Sequence, residues 1–298
     1  MKALFCSDLH LKGEKPVARL DVDWLEAQRS MLAEIVHYAN AYAVPLVLVG
    51  DVFDHSRVAT EVVNMTISEL KLCERGVWIL AGNHEIPQHS YDNVAQSSIG
   101  ILLQVFHNAE DLADCNANHF GRDGRESPRI IDHSIRLTHQ LVFQDKASKP
   151  PTDKGLTADE LLDLYHEADW LICGDGHSAF HFVRHSTGGD RHVVNLGCTI
   201  RHKASELGYV PSVWFIDTDN AQVERVALTD DPTMITREHL DAVEERESRV
   251  AKFLEVVKGG EGVTLSFMDN LEAKLDELQG ADLEALEAII ERTKQESK

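Results

Sequence analysis

The chain has 298 residues, of which 43% are hydrophobic and 27% charged, and this composition is typical of a globular enzyme. It contains no long apolar run and no secretory signal pattern, so we expect no membrane association and a cytoplasmic location. Its net charge of −21 argues against simple coating of DNA, because such proteins gain affinity from basic contacts to phosphate. The five cysteines are scattered and indicate reduced, buried thiols.

Strand and helix patterns alternate through the first part of the chain. Apolar runs at Lys2–Cys6, 45–49 and Val77–Leu80 predict strands, and each run stops abruptly at polar residues. Segments 23–42 and 59–74, which lie between these runs, have apolar residues at helical spacing. Because the strands are continuously apolar, both faces of the sheet should be covered. We therefore predict an α/β fold in which a largely parallel sheet is flanked by helices.

The same alternation returns after residue 150. The sequence Thr157-Ala158-Asp159-Glu160 is a capping box and predicts a helix that extends to Ala168. Residues 170–173 are apolar and predict a strand that ends at Gly174.

The last part of the chain has a different pattern. Residues 236–258 and 271–293 have apolar positions at helical spacing, separated by two consecutive glycines and a short strand-like run. We predict a catalytic domain over residues 1–230 and a small, mainly helical domain over 231–298. The second domain either caps the first or docks a partner.

Polar side chains follow four of the predicted strands. They are Asp8 and His10, Asp51 and Asp54, Asn83 and His84, and Asp175 and His177. In open α/β sheets, ligands bind outside the carboxyl ends of the strands. Carboxylates and imidazoles gathered there would repel one another without a cation, and oxygen and nitrogen donors suit manganese, magnesium, iron or zinc. The four clusters together predict a metal site. Asp54 either supports this site or is only a polar loop residue.

Three of these segments resemble the first signature blocks of the calcineurin-like metallophosphoesterases. They read Ser-Asp-Leu-His at residues 7–10, Gly-Asp-Val-Phe-Asp at 50–54 and Gly-Asn-His-Glu at 82–85. The resemblance covers about residues 1–217. It implies a core of two packed β-sheets flanked by helices.

The fourth and fifth blocks match less closely. A lone histidine after a strand is matched best by His139, with His107, His119 and His133 as competing candidates. The fifth block, normally Gly-His-x-His, has Asp175 in place of its first histidine. Asp175 is therefore either a metal ligand or a residue that only orients a neighbour beside a weak second site.

The resemblance implies a dinuclear site with two divalent ions, for which we expect manganese, with magnesium, iron or zinc as alternatives. One ion would be held by Asp8, His10, Asp51 and His177, and the other by Asp51, Asn83, His139 and Asp175. His84 would be the catalytic acid beside them. In such sites two ions activate a hydroxide that attacks phosphorus.

The amino-acid sequence of the second block is similar to that of SbcD-type DNA repair exonucleases. Residues 82–93 and the Gly-Asp-x-His form of the fifth block are similar to compact bacteriophage and prophage members. Residues 195–201 are similar to the Asn-Pro-Gly-Ser-x-x-Arg segment of these nucleases, and Arg201 is either a substrate contact or part of a plain turn. The resemblance implies a nuclease acting on DNA in repair or recombination. It also implies a coiled-coil ATPase partner of the SbcC type, and a homodimer is compatible with the sequence.

Two further functions remain open at this point. A phosphatase or phosphodiesterase acting on small molecules or phosphoproteins fits the acidic charge better and the motif spelling worse. A non-catalytic scaffold with a weakened second metal site is favoured only by Asp175 and opposed by the intact His84.

Overall fold

The computed structural model describes residues 1–108, 129–132 and 135–259. Its strands are β1 (Lys2–Cys6), β2 (Leu46–Val49), β3 (Val77–Leu80), β4 (His107–Asn108), β5 (Arg129–Asp132), β6 (Ile135–His139), β7 (Val142–Phe143), β8 (Leu156–Thr157), β9 (Trp170–Gly174), β10 (Phe180–Arg184), β11 (Arg191–Asn195), β12 (Ser212–Asp217) and β13 (Gln222–Ala227). Its α-helices are α1 (Trp24–Ala41), α2 (Thr60–Leu70), α3 (Ser98–Val105), α4 (Ala158–Leu164) and α5 (Glu238–Gly259). Each described helix is too short or too polar to cross a membrane.

Most strands belong to two mixed sheets. The first has the order β13-β12-β1-β2-β3-β4, and its strands β1 to β4 are parallel. The second has the order β10-β11-β9-β6-β5, with β6, β9 and β11 parallel and antiparallel strands at both edges. The carboxyl ends of the parallel strands therefore meet at one edge of each sheet. This arrangement confirms the α/β fold with two packed sheets and flanking helices.

Three hydrophobic layers hold the sheets and helices together. The first lies between one face of the first sheet and helices α1 to α3, and includes Leu48 and Ile35. The second lies between the two sheets, where Phe5 and Ile172 are both fully buried. The third joins the outer face of the second sheet to α4. Because both faces of each sheet are covered, the strands are continuously apolar rather than alternating. The four described cysteines are buried free thiols, and Cys115 lies outside the described residues.

Helix α4 is shorter than the sequence predicts. Its capping box is present, with the hydroxyl of Thr157 and the carboxylate of Glu160 each accepting a backbone N–H of the other residue. The helix ends at Leu164, however, and not at Ala168. The guanidinium of Arg191 donates to the carbonyl oxygens of Leu162, Tyr165 and Ala168, and thus replaces helical hydrogen bonds at that end.

The chain divides into two units, one ending at Arg237 and one beginning at Glu238, whereas the sequence predicts a boundary after residue 230. Within the second unit the structure describes α5, which begins and ends close to the predicted helix over 236–258. The predicted strand-like run and the helix over 271–293 lie outside the described residues.

Candidate metal centre

The predicted metal ligands lie at the carboxyl ends of strands from both sheets. Asp8 and His10 follow β1, and Asp51 follows β2, in the first sheet. His139 is the last residue of β6, and His177 follows β9, in the second sheet. The centre therefore forms where the two sheets meet, and these five residues reach it from four different strands.

The backbone is strained at several of these positions. Asp8, His10, Asp51 and Asp175 have φ angles of 53°, 47°, 50° and 74°. A non-glycine residue in this left-handed region costs about 1–3 kcal/mol, and persists where its surroundings enforce it. The loops after β1 and β2 enforce it by pairing, because the amides of Asp8 and His10 donate to the carbonyls of Gly50 and Asp51 at 3.2 and 2.9 Å. The strain is thus concentrated where side chains must converge.

Four overlapping groups of possible ligand atoms occur among the described residues. Two consist of predicted ligands, a third joins His10 and Asp51 to His84, and a fourth joins His177 to Cys198 and Glu206. Asp8, His10 and His177 form the first, and Asp8, Asp51 and His139 form the second, with the atoms of each group within 4.8 Å of one another. Nε2 of His10 lies 3.8 Å from carboxylate oxygens of both Asp8 and Asp51. Nε2 of His139 lies 3.1 Å from Oδ2 of Asp51. The first two groups contain most of the predicted ligands, but Asp8 belongs to both of them, Asp51 belongs only to the second of the two, and the carboxylate of Asp175 belongs to neither. The division of the ligands between two ions stays a prediction.

Glycines before the motif residues make room for these side chains. A Cβ atom on Gly50 would lie 2.1 Å from Nδ1 of His139, and Gly50 also has a φ of +82°. A Cβ atom on Gly82 would lie 2.2 Å from Oδ1 of Asp51. Only glycine therefore fits at these two positions, because Gly50 lies against the ring of His139 and Gly82 lies against the carboxylate of Asp51.

Hydrogen-bond acceptors fix which nitrogen of each histidine faces the centre. Nδ1 of His139 lies 2.9 Å from the carbonyl oxygen of Val49, and Nδ1 of His177 lies 2.8 Å from Oε1 of Glu206. Because these oxygens can only accept hydrogen bonds, both Nδ1 atoms carry the proton. Nε2 of a neutral His139 then presents a lone pair to the carboxylate of Asp51. Two acceptors facing each other at this distance require a proton or a metal cation between them.

The burial of two carboxylates, those of Asp8 and Asp51, also indicates that a cation binds at this position. Asp8 and Asp51 are 0% and 1% exposed, and no Lys or Arg forms an ion pair with either carboxylate in the described residues. Burial raises the pKa of Asp8 to about 6. Burial also opposes ionisation of Asp51, but the nearby His139 lowers the pKa of that carboxyl to about 2. Buried carboxylates of this kind are normally paired or coordinate metals, so the donor set fits divalent ions.

Buried polar atoms that lack hydrogen bonds also indicate that the residues of the centre fit metal ions. Within the described part of the chain, both ring nitrogens of His10 and Oδ1 of Asn83 are buried and have no hydrogen-bond partner. Burial lowers the pKa of His10 to about 3, so its imidazole is neutral and can act as a ligand. Asn83 follows β3, in the segment that also carries the half-exposed His84. These orphaned atoms have the chemistry of metal ligands.

Asp175 takes part in the centre through its backbone. Its amide N–H donates to both carboxylate oxygens of Asp8, at 3.2 and 3.1 Å. The carboxylate of Asp175 belongs to none of the ligand groups found among the described residues. The positive φ of this residue directs the N–H toward Asp8. The observed geometry corresponds to the role in which Asp175 orients a neighbouring ligand.

The loop that carries His177 is held by residues that sequence reasoning missed. Nδ2 of Asn195 donates to the carbonyls of Gly176 and Ser178, both at 2.7 Å. Glu206 holds the His177 ring itself through the hydrogen bond from Nδ1. Burial opposes ionisation of Glu206, but this hydrogen bond from His177 lowers the pKa of the carboxyl to about 2. The predicted motif over residues 195–201 was the signal for Asn195, but nothing in the sequence pointed to Glu206.

Arg201 occupies a different environment from that expected of a substrate contact. Its side chain is about 2% exposed, and its Nε donates to Oδ2 of Asp230 at 2.6 Å. A second nitrogen, Nη1, donates to the carbonyl of Leu207. These contacts give Arg201 a structural role in joining the segment after β11 to the segment after β13. A contact of Arg201 with substrate stays a prediction without geometric support.

The remaining predicted residues have clear positions. Asp54 lies beside the centre, with Oδ1 3.5 Å from Nδ1 of His10 and Oδ2 3.1 Å from Nζ of Lys12. His107, which competed with His139 as the lone histidine of the fourth block, stacks on Trp78 in the first sheet. His119 and His133 lie outside the described residues.

A cavity of about 200 Å³ adjoins His177. It is lined by the loop around His177 and by the segment after β6, and its wall includes Phe143, Gln144, Ser148 and Phe180. Its lining combines aromatic rings with an amide and a hydroxyl. The cavity offers space for an organic group next to the metal centre.

Comparison with known proteins agrees with this geometry. The family model for calcineurin-like phosphoesterases matches residues 1–180, which is more than half of the chain and includes every metal ligand predicted from the sequence. A search of the curated proteins found no match. The chain therefore belongs to the calcineurin-like phosphoesterase family, and it is a metal-dependent phosphoester hydrolase.

Proposed function

We propose that the protein is a nuclease that hydrolyses DNA phosphodiesters in repair or recombination, with two manganese ions in its centre. The observation that carries the hydrolytic part of this proposal is the position of His84. The His84 ring lies 5.1 Å from the His10 ring, centroid to centroid, and its side chain is 48% exposed. It is thus beside the buried ligands yet open to a substrate.

The contacts of His84 fix where it exchanges a proton. Nδ1 lies 3.0 Å from the backbone carbonyl of Asp54, so Nδ1 carries a proton and donates it in a hydrogen bond. Nε2, which lies 4.0 Å from Oδ2 of Asp51, is therefore the atom that gains and releases a proton. In the protonated state Nε2 would donate this proton to the oxygen that leaves phosphorus.

The buried residues have a separate task. When bound, divalent ions supply Lewis-acid stabilisation of charge that develops on the phosphoryl oxygens. Asp8, His10, Asp51, Asn83, His139 and His177 would hold them. Three of these residues supply oxygen donors, three supply imidazole nitrogens and none supplies a thiolate, and such a mixed set is compatible with manganese. The amide of His84 donates to Oδ1 of Asp51 at 3.1 Å, which orients that carboxylate.

The choice of a diester rests on two observations. The second block, Gly50 to Asp54, is similar to that of SbcD-type nucleases, and the segment around Asn195 matches theirs in part, with Leu196 and Cys198 in place of Pro and Ser. The cavity beside His177 gives room for a second organic group on phosphorus, which a phosphate monoester does not carry. Opposed to DNA is the net charge of −21, which favours a small-molecule substrate unless ions or a basic partner offset the repulsion. A coiled-coil ATPase is one such partner, and both it and a homodimer stay predictions.

The test is degradation of end-labelled single-stranded and double-stranded DNA by the purified chain, with manganese or with a chelator. His84→Asn is the principal variant, because it removes the proton donor and leaves the ligands in place. His185→Asn is the matched control, since this histidine is 79% exposed, pairs with Asp190 and belongs to none of the ligand groups of the described residues. We expect manganese-dependent cleavage that falls about 100-fold or more in His84→Asn and is unchanged in His185→Asn.

Hydrolysis of a bis-aryl phosphodiester and of a phosphopeptide is measured in parallel. Turnover of either compound that depends on His84, without cleavage of DNA, would favour the rival class of substrate. A chain that binds metal but hydrolyses none of these compounds would contradict the enzymatic proposal and favour the scaffold.

A further inference from the structure

We infer that Glu206 is a positioning residue that holds the His177 imidazole in the orientation required to bind metal. Glu206 ends a short 3-10 turn over Ala204–Glu206 and is 8% exposed. It lies outside the residues that the family model matches. The inference rests on His177 being a metal ligand, and it is independent of whether DNA is the substrate.

The two oxygens of Glu206 accept from three converging donors. Oε1 accepts from Nδ1 of His177 at 2.8 Å. Oε2 accepts from the backbone amides of His202 and Lys203, at 2.7 and 3.0 Å. The second oxygen thus fixes the carboxylate to the chain, which leaves the first oxygen immobile beside the histidine. A carboxylate that contacts the far nitrogen of a ligand histidine fixes its tautomer and strengthens its binding to metal.

The backbone of His177 is held independently of its ring. The carbonyl of His177 accepts from the amide of Cys198 at 3.3 Å. The carbonyls on either side, of Gly176 and Ser178, both accept from Asn195. With the backbone fixed in this way, the imidazole can still rotate about its side-chain bonds. The hydrogen bond to Glu206 prevents this rotation. The ring that results turns its Nε2 side toward the group formed with Asp8 and His10.

A purely structural role is the competing explanation, because Oε2 also caps the turn that begins after Lys203. The two roles predict different results for Glu206→Gln. An amide has a single acceptor oxygen, so it cannot accept from His177 and from the two backbone amides together. If Glu206 only caps the turn, this variant changes stability and leaves the affinity for metal unchanged.

The experiment measures the dissociation constant of manganese for the full chain by calorimetry, together with its melting temperature. We expect Glu206→Gln to weaken manganese binding about 10- to 100-fold. The matched control is Glu34→Gln, since the Glu34 carboxylate accepts from the amide and hydroxyl of Thr229, away from the centre. The control should leave the dissociation constant unchanged.

A double-mutant cycle with His177→Ala separates the two roles. Once the His177 ring is absent, Glu206→Gln should produce no further weakening of metal binding, because its effect acts through that ring. Equal weakening in both backgrounds, or no weakening in the single variant, would overturn the inference. If Glu206→Gln does not fold, ¹⁵N NMR of the wild-type chain still decides, since we expect protonated Nδ1 in His177. A His177 protonated on Nε2 instead would overturn the inference.

Discussion

The Nε2 atom of His139 lies 3.1 Å from Oδ2 of Asp51, although the strands that carry the two residues belong to different sheets. The contact exists because apolar side chains from both sheets pack between them and bring their carboxyl ends together. The metal centre is therefore a product of sheet packing. The groups Asp8–His10–His177 and Asp8–Asp51–His139 each take residues from both sheets.

This relationship predicts the effect of removing His139. We expect His139→Asn to bind one manganese ion per chain where the wild type binds two, because His139 contributes only to the group around Asp51. His181→Asn, which alters a part-buried histidine of the same sheet outside all ligand groups, should retain both ions. Elemental analysis after gel filtration gives the stoichiometry. Two ions in His139→Asn would exclude this residue as a ligand.

Removal of metal should destabilise the fold. Two carboxylates are buried in the centre, and a ligand present at about 100 times its dissociation constant adds about 2.7 kcal/mol to the free energy of unfolding. We therefore expect a chelator to lower the melting temperature by several degrees and manganese to restore it.

Asp51→Asn provides the control for this thermal measurement. It removes one of the two buried negative charges, so the variant should lose its response to manganese. A wild-type melting temperature that is insensitive to both chelator and manganese would contradict the buried metal centre.

The geometry of Asp175 leads to a prediction that differs from the family pattern. Asp175 contacts Asp8 through its backbone N–H, and asparagine keeps this donor and tolerates a positive φ. Asp175→Asn should therefore bind as many manganese ions as the wild type, with an affinity within about threefold. Loss of one ion, measured by the same elemental analysis, would show instead that the carboxylate is a ligand.

Close packing around Gly50 predicts a severe effect of a single methyl group. In Gly50→Ala, the new Cβ would overlap the His139 ring, and the left-handed backbone adds about 1–3 kcal/mol of strain. We expect loss of one metal site and a larger drop in stability than in Gly189→Ala. Gly189 also has a positive φ, but no atom lies within 4 Å of a Cβ placed there. Chemical denaturation gives the free energy of unfolding of both variants, and the difference between their losses reports the overlap with His139. Equal losses in the two variants would contradict this overlap.

Local patterns were sufficient to predict most of the fold and to identify side chains that lie together in the structure. Continuous apolar strands that stop at Asp8 or Asp51 indicate a buried sheet, which was confirmed. They also indicate a site at its edge, which stays a prediction supported by the clustering of these side chains. His139 was also identified from its place after a strand. The convergence of these candidate ligands was predictable because each one ends a strand or lies within four residues of its end, so the nearest strand sets its position.

The features that the sequence did not predict depend on contacts between distant segments. Arg201 is buried because it pairs with Asp230, a partner from beyond β13 that no local pattern identifies. Glu206 reaches His177 only through a 3-10 turn whose direction depends on packing against the loop after β9. The end of α4 is likewise determined by Arg191, which lies on a later strand. Long-range hydrogen bonds of charged side chains account for all three.

Anomalous diffraction from crystals grown with manganese tests the central claim most directly, because it locates the ions without reference to activity. We predict two peaks that share Asp51 as a ligand, one beside His10 and His177 and the other beside His139. The absence of manganese from this position, or a single peak that does not contact Asp51, would contradict the account.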